Sequence, residues 1–82
     1  EPACRRMWME EPDKREFLCT LSVYLGLERA TGLAARQMSI HRNTITYRIK
    51  YVKDRTGWDY EDAVLRDYLR LSIYYLSAWS EE

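Results

Sequence analysis

Proline and glycine are scarce, with two prolines and three glycines in 82 residues. Both prolines, Pro2 and Pro12, fall in the first dozen positions, so from Lys14 onward only Gly26, Gly32 and Gly57 interrupt runs of helix length. That pattern predicts an all-α fold. No apolar run approaches the ~20 residues needed to cross a bilayer, so a membrane partner is not expected. No positive stretch followed by an apolar one and a cleavage site opens the chain, so no signal peptide is expected. The first residues are Glu1-Pro2-Ala3 rather than a methionine, as expected of a piece of a longer or processed protein. Cys4 and Cys19 are too few for a disulfide framework. Cys19, beside Leu18 and Leu21, reads as a small buried thiol, which fits a reducing, cytoplasmic compartment. His41 is the single histidine and cannot build a zinc site with two distant cysteines. With no nucleophile–base constellation and no phosphate-cradling glycine loop, no enzyme, no metal and no cofactor is expected.

Hydrophobic residues make up 46% of the chain, enough for a packed core and too many for disorder. At this length a single small domain buries roughly 60 to 65% of its unfolded surface, so every large side chain counts. The formal net charge is zero, yet it is unevenly placed. Residues 36–55 carry Arg36, Arg42, Arg48, Lys50, Lys53 and Arg55 against Asp54 alone, a local +5. Residues 1–35 sum to −1 and residues 56–82 to −4. A polyanion responds to that local field, not to the total.

Residues 1–13 read as a linker or partly docked N-terminal arm, with Met7-Trp8-Met9 either packing on the domain or meeting a missing one. Residues 14–82 read as a four-helix domain. The first predicted helix runs from about Lys14 to Leu27, with an apolar stripe Phe17, Leu21, Tyr24 and Leu25. Asp13 with Glu16 reads as its capping box and Gly26 as a left-handed stop. The second covers about Gly32 to Met38, capped by Thr31, with Leu33, Ala34, Ala35 and Met38 inward. The third runs from His41 or Arg42 to Arg55, buries Ile45, Ile49 and Val52, and stops at Gly57. The fourth runs from near Asp59 to about Trp79 and holds more apolar residues than one narrow face needs.

The stretch from Gly32 to Lys50 meets the requirements of a helix-turn-helix: two helices joined by a three- or four-residue turn. Ala34-Ala35 supplies small residues where the helices touch, Ile40 plugs the turn, and Ile45 and Ile49 hold one face of the second helix inward. The opposite face then offers His41, Arg42, Asn43, Thr44, Thr46, Tyr47, Arg48 and Lys50 to a double-stranded DNA partner. Cations there would meet phosphates and hydrogen-bonding groups would meet base edges. The helix over 41–55 is therefore the expected recognition helix in the major groove.

The sequence also resembles the C-terminal helix-turn-helix domain of PucR-type regulators, a group that includes CdaR-like sugar-diacid regulators. The resemblance rests on Thr20-Leu21 with Tyr24-Leu25, on Ala35 with Met38, on the run from Ile40 to Ile49, and on Thr56-Gly57-Trp58-Asp59 with Leu69 and Leu71. It covers about residues 17 to 77, and His41-Arg42-Asn43-Thr44 with Tyr47-Arg48 is its most specific part. The recognition helix is similar to that of the factor for inversion stimulation. The resemblance implies a C-terminal DNA-binding domain on a longer chain whose upstream part senses a metabolite, in control of purine, sugar-acid or amino-acid operons. The loop Leu27-Glu28-Arg29-Ala30 lacks the family's Asn/Gly-rich turn.

Plainer readings stand beside these. His41 fits a polar helix start as well as a DNA contact, and Thr44 fits a helix-start residue. Tyr47 fits partial burial, and Arg48 fits a surface pair with one of the acidic residues of 59–67. The aromatic surplus of the last helix (Tyr68, Tyr74, Tyr75 and Trp79) fits both core and a homodimer surface, the upstream domain being the other expected dimer contact. The competing function is a helical dimerisation or protein-interaction module that binds no DNA.

Overall fold

The structure is a computed structural model that describes residues 1–79 and is helical throughout its regular elements. The expected domain end at 80–82 lies outside the described residues. Among the described residues, five α-helices replace the four expected: α1 (Pro2–Glu10), α2 (Arg15–Gly26), α3 (Thr31–Met38), α4 (Arg42–Thr56) and α5 (Ala63–Trp79). A single 3₁₀ turn, Pro12–Lys14, joins the first two.

The added helix, α1, corrects the reading of residues 1–13 as a linker or arm. Pro2 sits in its first turn, where a missing amide hydrogen costs nothing, and the Glu1 carboxylate accepts from the Cys4 amide at 2.8 Å. Cys4, Met7 and Trp8 recur at helical spacing and are buried in the common core. Further ties anchor α1. Trp58 Nε1 donates to Glu1 Oε2 at 3.3 Å, and Arg15 Nε donates to the Trp8 carbonyl at 2.8 Å. The helix is hard to read from sequence because a proline opens it and Arg5, Arg6 and Glu10 break up its apolar residues, so that only the spacing of the three buried side chains betrays it.

Helix α2 lies at the centre and packs against α4, α5, α3 and α1. Leu18, Leu21 and Leu25 are buried with Thr20, while Phe17, Tyr24 and Cys19 are half-buried. Two local expectations fail here. Asp13 belongs to the 3₁₀ turn, and Lys14, with no side-chain capping bond, stands at the start of α2. Gly26 stays within the helix, and the left-handed residues are Glu28 and Arg29, at φ 57° and 65°. Non-glycine residues pay a steric cost there. It is offset by the Arg29 amide donating to the Tyr24 carbonyl at 2.8 Å and the Arg29–Glu61 ion pair at 2.9 Å.

In α3, Ala34 and Ala35 are buried, as expected, and let α4 approach. Leu33 instead points outward. It sits one residue before Ala34, about 100° round the helix, on the side away from Ala35 and Met38. Ala30, not Thr31, occupies the cap position. The last helix starts later than expected, at Ala63, because residues 59–62 form a turn in which the Asp59 carboxylate accepts from the Glu61 amide at 3.0 Å. Asp62 then accepts from the Leu65 amide at 3.1 Å as an N-terminal cap. Trp58 and Tyr60, from the same connection, are buried beneath it. Among the described residues, no helix is long and apolar enough to cross a membrane.

Candidate nucleic-acid interface

The joint between α3 and α4 is three residues long, Ser39-Ile40-His41. Ser39 takes a left-handed conformation (φ 57°), and the Ile40 amide donates back to the Ala35 carbonyl at 3.1 Å, which closes α3 as a Schellman turn. Ile40 is half-buried against the core, as a plug should be. His41 caps α4: its Nδ1 accepts from the Asn43 amide at 3.0 Å. An accepting Nδ1 leaves the ring proton on Nε2, so the plain and functional readings of His41 coexist in one tautomer.

Helix α4 buries Ile45, Ile49 and Val52 against α2 and α3. That stripe turns Arg42, Asn43, Thr46, Tyr47, Lys50 and Lys53 to the exposed side, with Thr44 half-buried at its edge. Thr46 Oγ1 donates to the Arg42 carbonyl at 3.2 Å, leaving its acceptor lone pairs outward. Tyr47 is exposed but not idle: its ring meets Phe17 edge-on with centroids 5.9 Å apart. At the far end Gly57, at φ 74°, closes the helix by donating to the Lys53 carbonyl at 2.7 Å.

Arg48 departs from the expected surface. Its side chain is only 14% exposed, donates to buried Thr20 Oγ1 at 3.1 Å, and lies 3.5 Å from Glu16 and over the Phe17 ring. Its partner is thus on α2, not in the 59–67 segment. The physical reason is angular: Arg48 is one residue before buried Ile49, on the side of α4 that faces α2. Arg55 is likewise turned to α1, paired with Glu11 and donating to Tyr51 Oη at 2.9 Å.

The basic segment is therefore less open than its count. Arg48 and Arg55 hold neighbouring helices, and Lys50 shares an exposed i,i+4 pair with Asp54 at 2.7 Å, a contact of small energy. Among the described residues, Arg36, Arg42 and Lys53 have no carboxylate within 4 Å. Arg36 and Arg42 border one shallow groove with Ser39, His41 and Gly32. Lys50 and Lys53 border a second groove, with Thr31 and Thr46. Arg36 and Lys53 were missing from the residues singled out by sequence, although both are cations outside the buried stripes. Among the described residues, no group of three or more His, Cys, Asp or Glu side chains could hold a metal ion.

The helix-turn-helix itself has relatives among known proteins. Residues 17–74 match the PucR C-terminal helix-turn-helix domain. The chain is also similar to the proline-responsive transcriptional activator PutR of Bacillus subtilis (strain 168), 39% identical over 64 residues. That alignment takes in 78% of this chain and 16% of the relative, so the chain spans about one-sixth of the relative's length. No solved structure matches.

Proposed function

Because the chain belongs to the PucR C-terminal helix-turn-helix family of transcriptional regulators, we propose that it reads specific duplex DNA as the C-terminal domain of a longer regulator. The recognition helix is α4, in the major groove. The observation that carries this reading is the division of α4 into a buried stripe (Ile45, Ile49 and Val52) and an outward face of cations and hydrogen-bonding groups. Arg42 and Asn43, in the first turn, meet base edges, where a bidentate arginine selects guanine. Thr44, Thr46 and the His41 Nε2–H serve phosphates or nearby bases, Tyr47 the groove wall, and Lys50, with Arg36 and Lys53 beside it, the phosphates. Arg48 holds α4 against α2 and touches no DNA. Two copies read two half-sites as a homodimer, joined through α5 or through the upstream chain. A chromosomal target places the protein in the cytoplasm, and the alignment with a proline-responsive activator supports a metabolite signal upstream.

The test is selection from a random duplex library followed by anisotropy at two salt concentrations. The wild type is expected to enrich one motif and bind it with strong salt dependence. Arg42→Ala is expected to lose about 1 to 3 kcal/mol and relax preference at one position. No enriched motif, or full binding by Arg42→Ala combined with Lys50→Ala, would end this reading. The competing module without DNA binding draws on the exposed face of α5, and predicts salt-insensitive self-association alone.

A further inference from the structure

Helix α5 buries Leu69 and Ile73 and leaves a second apolar line on its outer side. Val64, Tyr68, Leu71 and Tyr75 are 79%, 48%, 63% and 60% exposed, and their spacing of four, three and four makes a straight seam along the helix. Solitary exposed apolar residues are ordinary, but a continuous seam on one face is not. Shallow grooves run on both sides, one shared with α2 and one with α1, so the seam stands as a ridge.

We propose that this ridge packs antiparallel against the same ridge of a second copy, with the two-fold axis between residues 69 and 70. This deepens the homodimer part of the reading above by naming its surface and register. Antiparallel pairing about that axis places Val64 opposite Tyr75 of the second copy and Tyr68 opposite Leu71 of the second copy. Each aromatic then meets a smaller aliphatic, so the layers interdigitate. A parallel pairing in register would set tyrosine on tyrosine and leave valine on valine.

Charge supports the same register. Asp67 and Arg70 lie on one flank of the ridge, and neither forms an ion pair among the described residues. At 1.5 Å rise per residue the proposed axis puts Asp67 within about 3 Å, along the helix, of Arg70 of the second copy. The two-fold repeats that contact. The guanidinium of Arg70 now rests beside Gly26, where a Cβ would stand 3.2 Å away, and a long arginine side chain can swing from there to the flank. Four side chains per copy amount to about 800 Å² of total burial, below the roughly 1,200 Å² at which stable specific interfaces begin, so dimerisation by this protein alone is weak and transient.

Sedimentation velocity on the 82-residue protein without DNA, from about 10 μM to 1 mM, tests this. A reversible dimer is expected. Leu71→Asp should weaken it at least tenfold, and Asp67→Arg several-fold, with the exchange Asp67→Arg plus Arg70→Asp restoring it. Register is read by disulfide capture: a mixture of Val64→Cys and Tyr75→Cys proteins should give the mixed disulfide. A monomer at every concentration overturns the proposal. So does a charge exchange that fails to restore association, or rapid self-capture by Val64→Cys alone, which marks a parallel pair because the antiparallel register holds the two copies of that position about 16 Å apart along the helices. Should Leu71→Asp lose its helical circular dichroism, the charge exchange and disulfide capture still decide. Since no DNA is present, a monomeric result leaves the role of α4 standing, and a failure to bind DNA leaves this dimer standing.

Discussion

Arg48 Nη1 donates to Thr20 Oγ1 at 3.1 Å, and the same hydroxyl donates to the Glu16 carbonyl at 2.9 Å. A cation of α4 is thereby used to fix that helix against α2. Thr20 is fully buried, so the arginine supplies its hydroxyl with a donor that water cannot replace. The guanidinium also covers the Phe17 ring.

Arg48→Ala is therefore expected to lower stability by about 1 to 3 kcal/mol through lost packing and a lost charge-assisted hydrogen bond. The salt dependence of DNA binding should stay at the wild-type slope. Lys53→Ala should do the opposite: stability unchanged, binding weakened for all sequences alike, and the slope reduced by about 1. Urea titration and anisotropy against salt separate the two. A reduced slope for Arg48→Ala would put its guanidinium on DNA.

Helix α1 is expected to be indispensable. Trp8→Ala should cost about 3 to 5 kcal/mol, a large share of the stability of a domain this small. Trp8→Phe should cost much less, because the buried Nε1–H has no hydrogen-bond partner among the described residues and its removal relieves a desolvated donor. Denaturant midpoints of the two variants measure the difference. Equal losses would mean that the indole nitrogen is satisfied.

Alkaline pH should destabilise the fold. Burial pushes the Cys4 thiol up to about 11, and burial likewise raises the Tyr60 phenol, with the neighbouring Tyr24 adding to it. Both groups are neutral acids in the folded protein and ionise more readily once unfolded. The thiol's contribution is whole below its unfolded value near 9 and is lost as pH rises towards 11, and the phenol's begins to fall only above its ordinary value of 10. Urea midpoints are expected to fall across that window, and Cys4→Ala should flatten the decline. A midpoint independent of pH from 8 to 11 would contradict the buried thiol.

Gly57→Ala is expected to cost about 1 to 2 kcal/mol. Nothing lies within 4 Å of the added Cβ, so the whole effect comes from the left-handed φ of 74°. Thermal melts of this variant, with a Gly32→Ala control at ordinary φ, isolate that strain.

Much of this protein was legible in its residues alone. Helical spacing determined that Ile45, Ile49 and Val52 turn inward, that Ile40 plugs the turn and that Gly57 ends α4, because a 3.6-residue period leaves few ways to bury those side chains. The His41-to-Ile49 run and the residues matching its family were equally plain. Tertiary packing decided the rest. Helix α1 exists because the core takes Cys4, Met7 and Trp8, which nine residues opened by a proline cannot advertise by themselves. Arg48 faces α2 because its angle on α4 meets a buried hydroxyl and a carboxylate on another helix, and the left-handed turn after α2 brings Arg29 to Glu61. A residue's own period states which side of a helix it occupies, but only the assembled helices determine what that side meets.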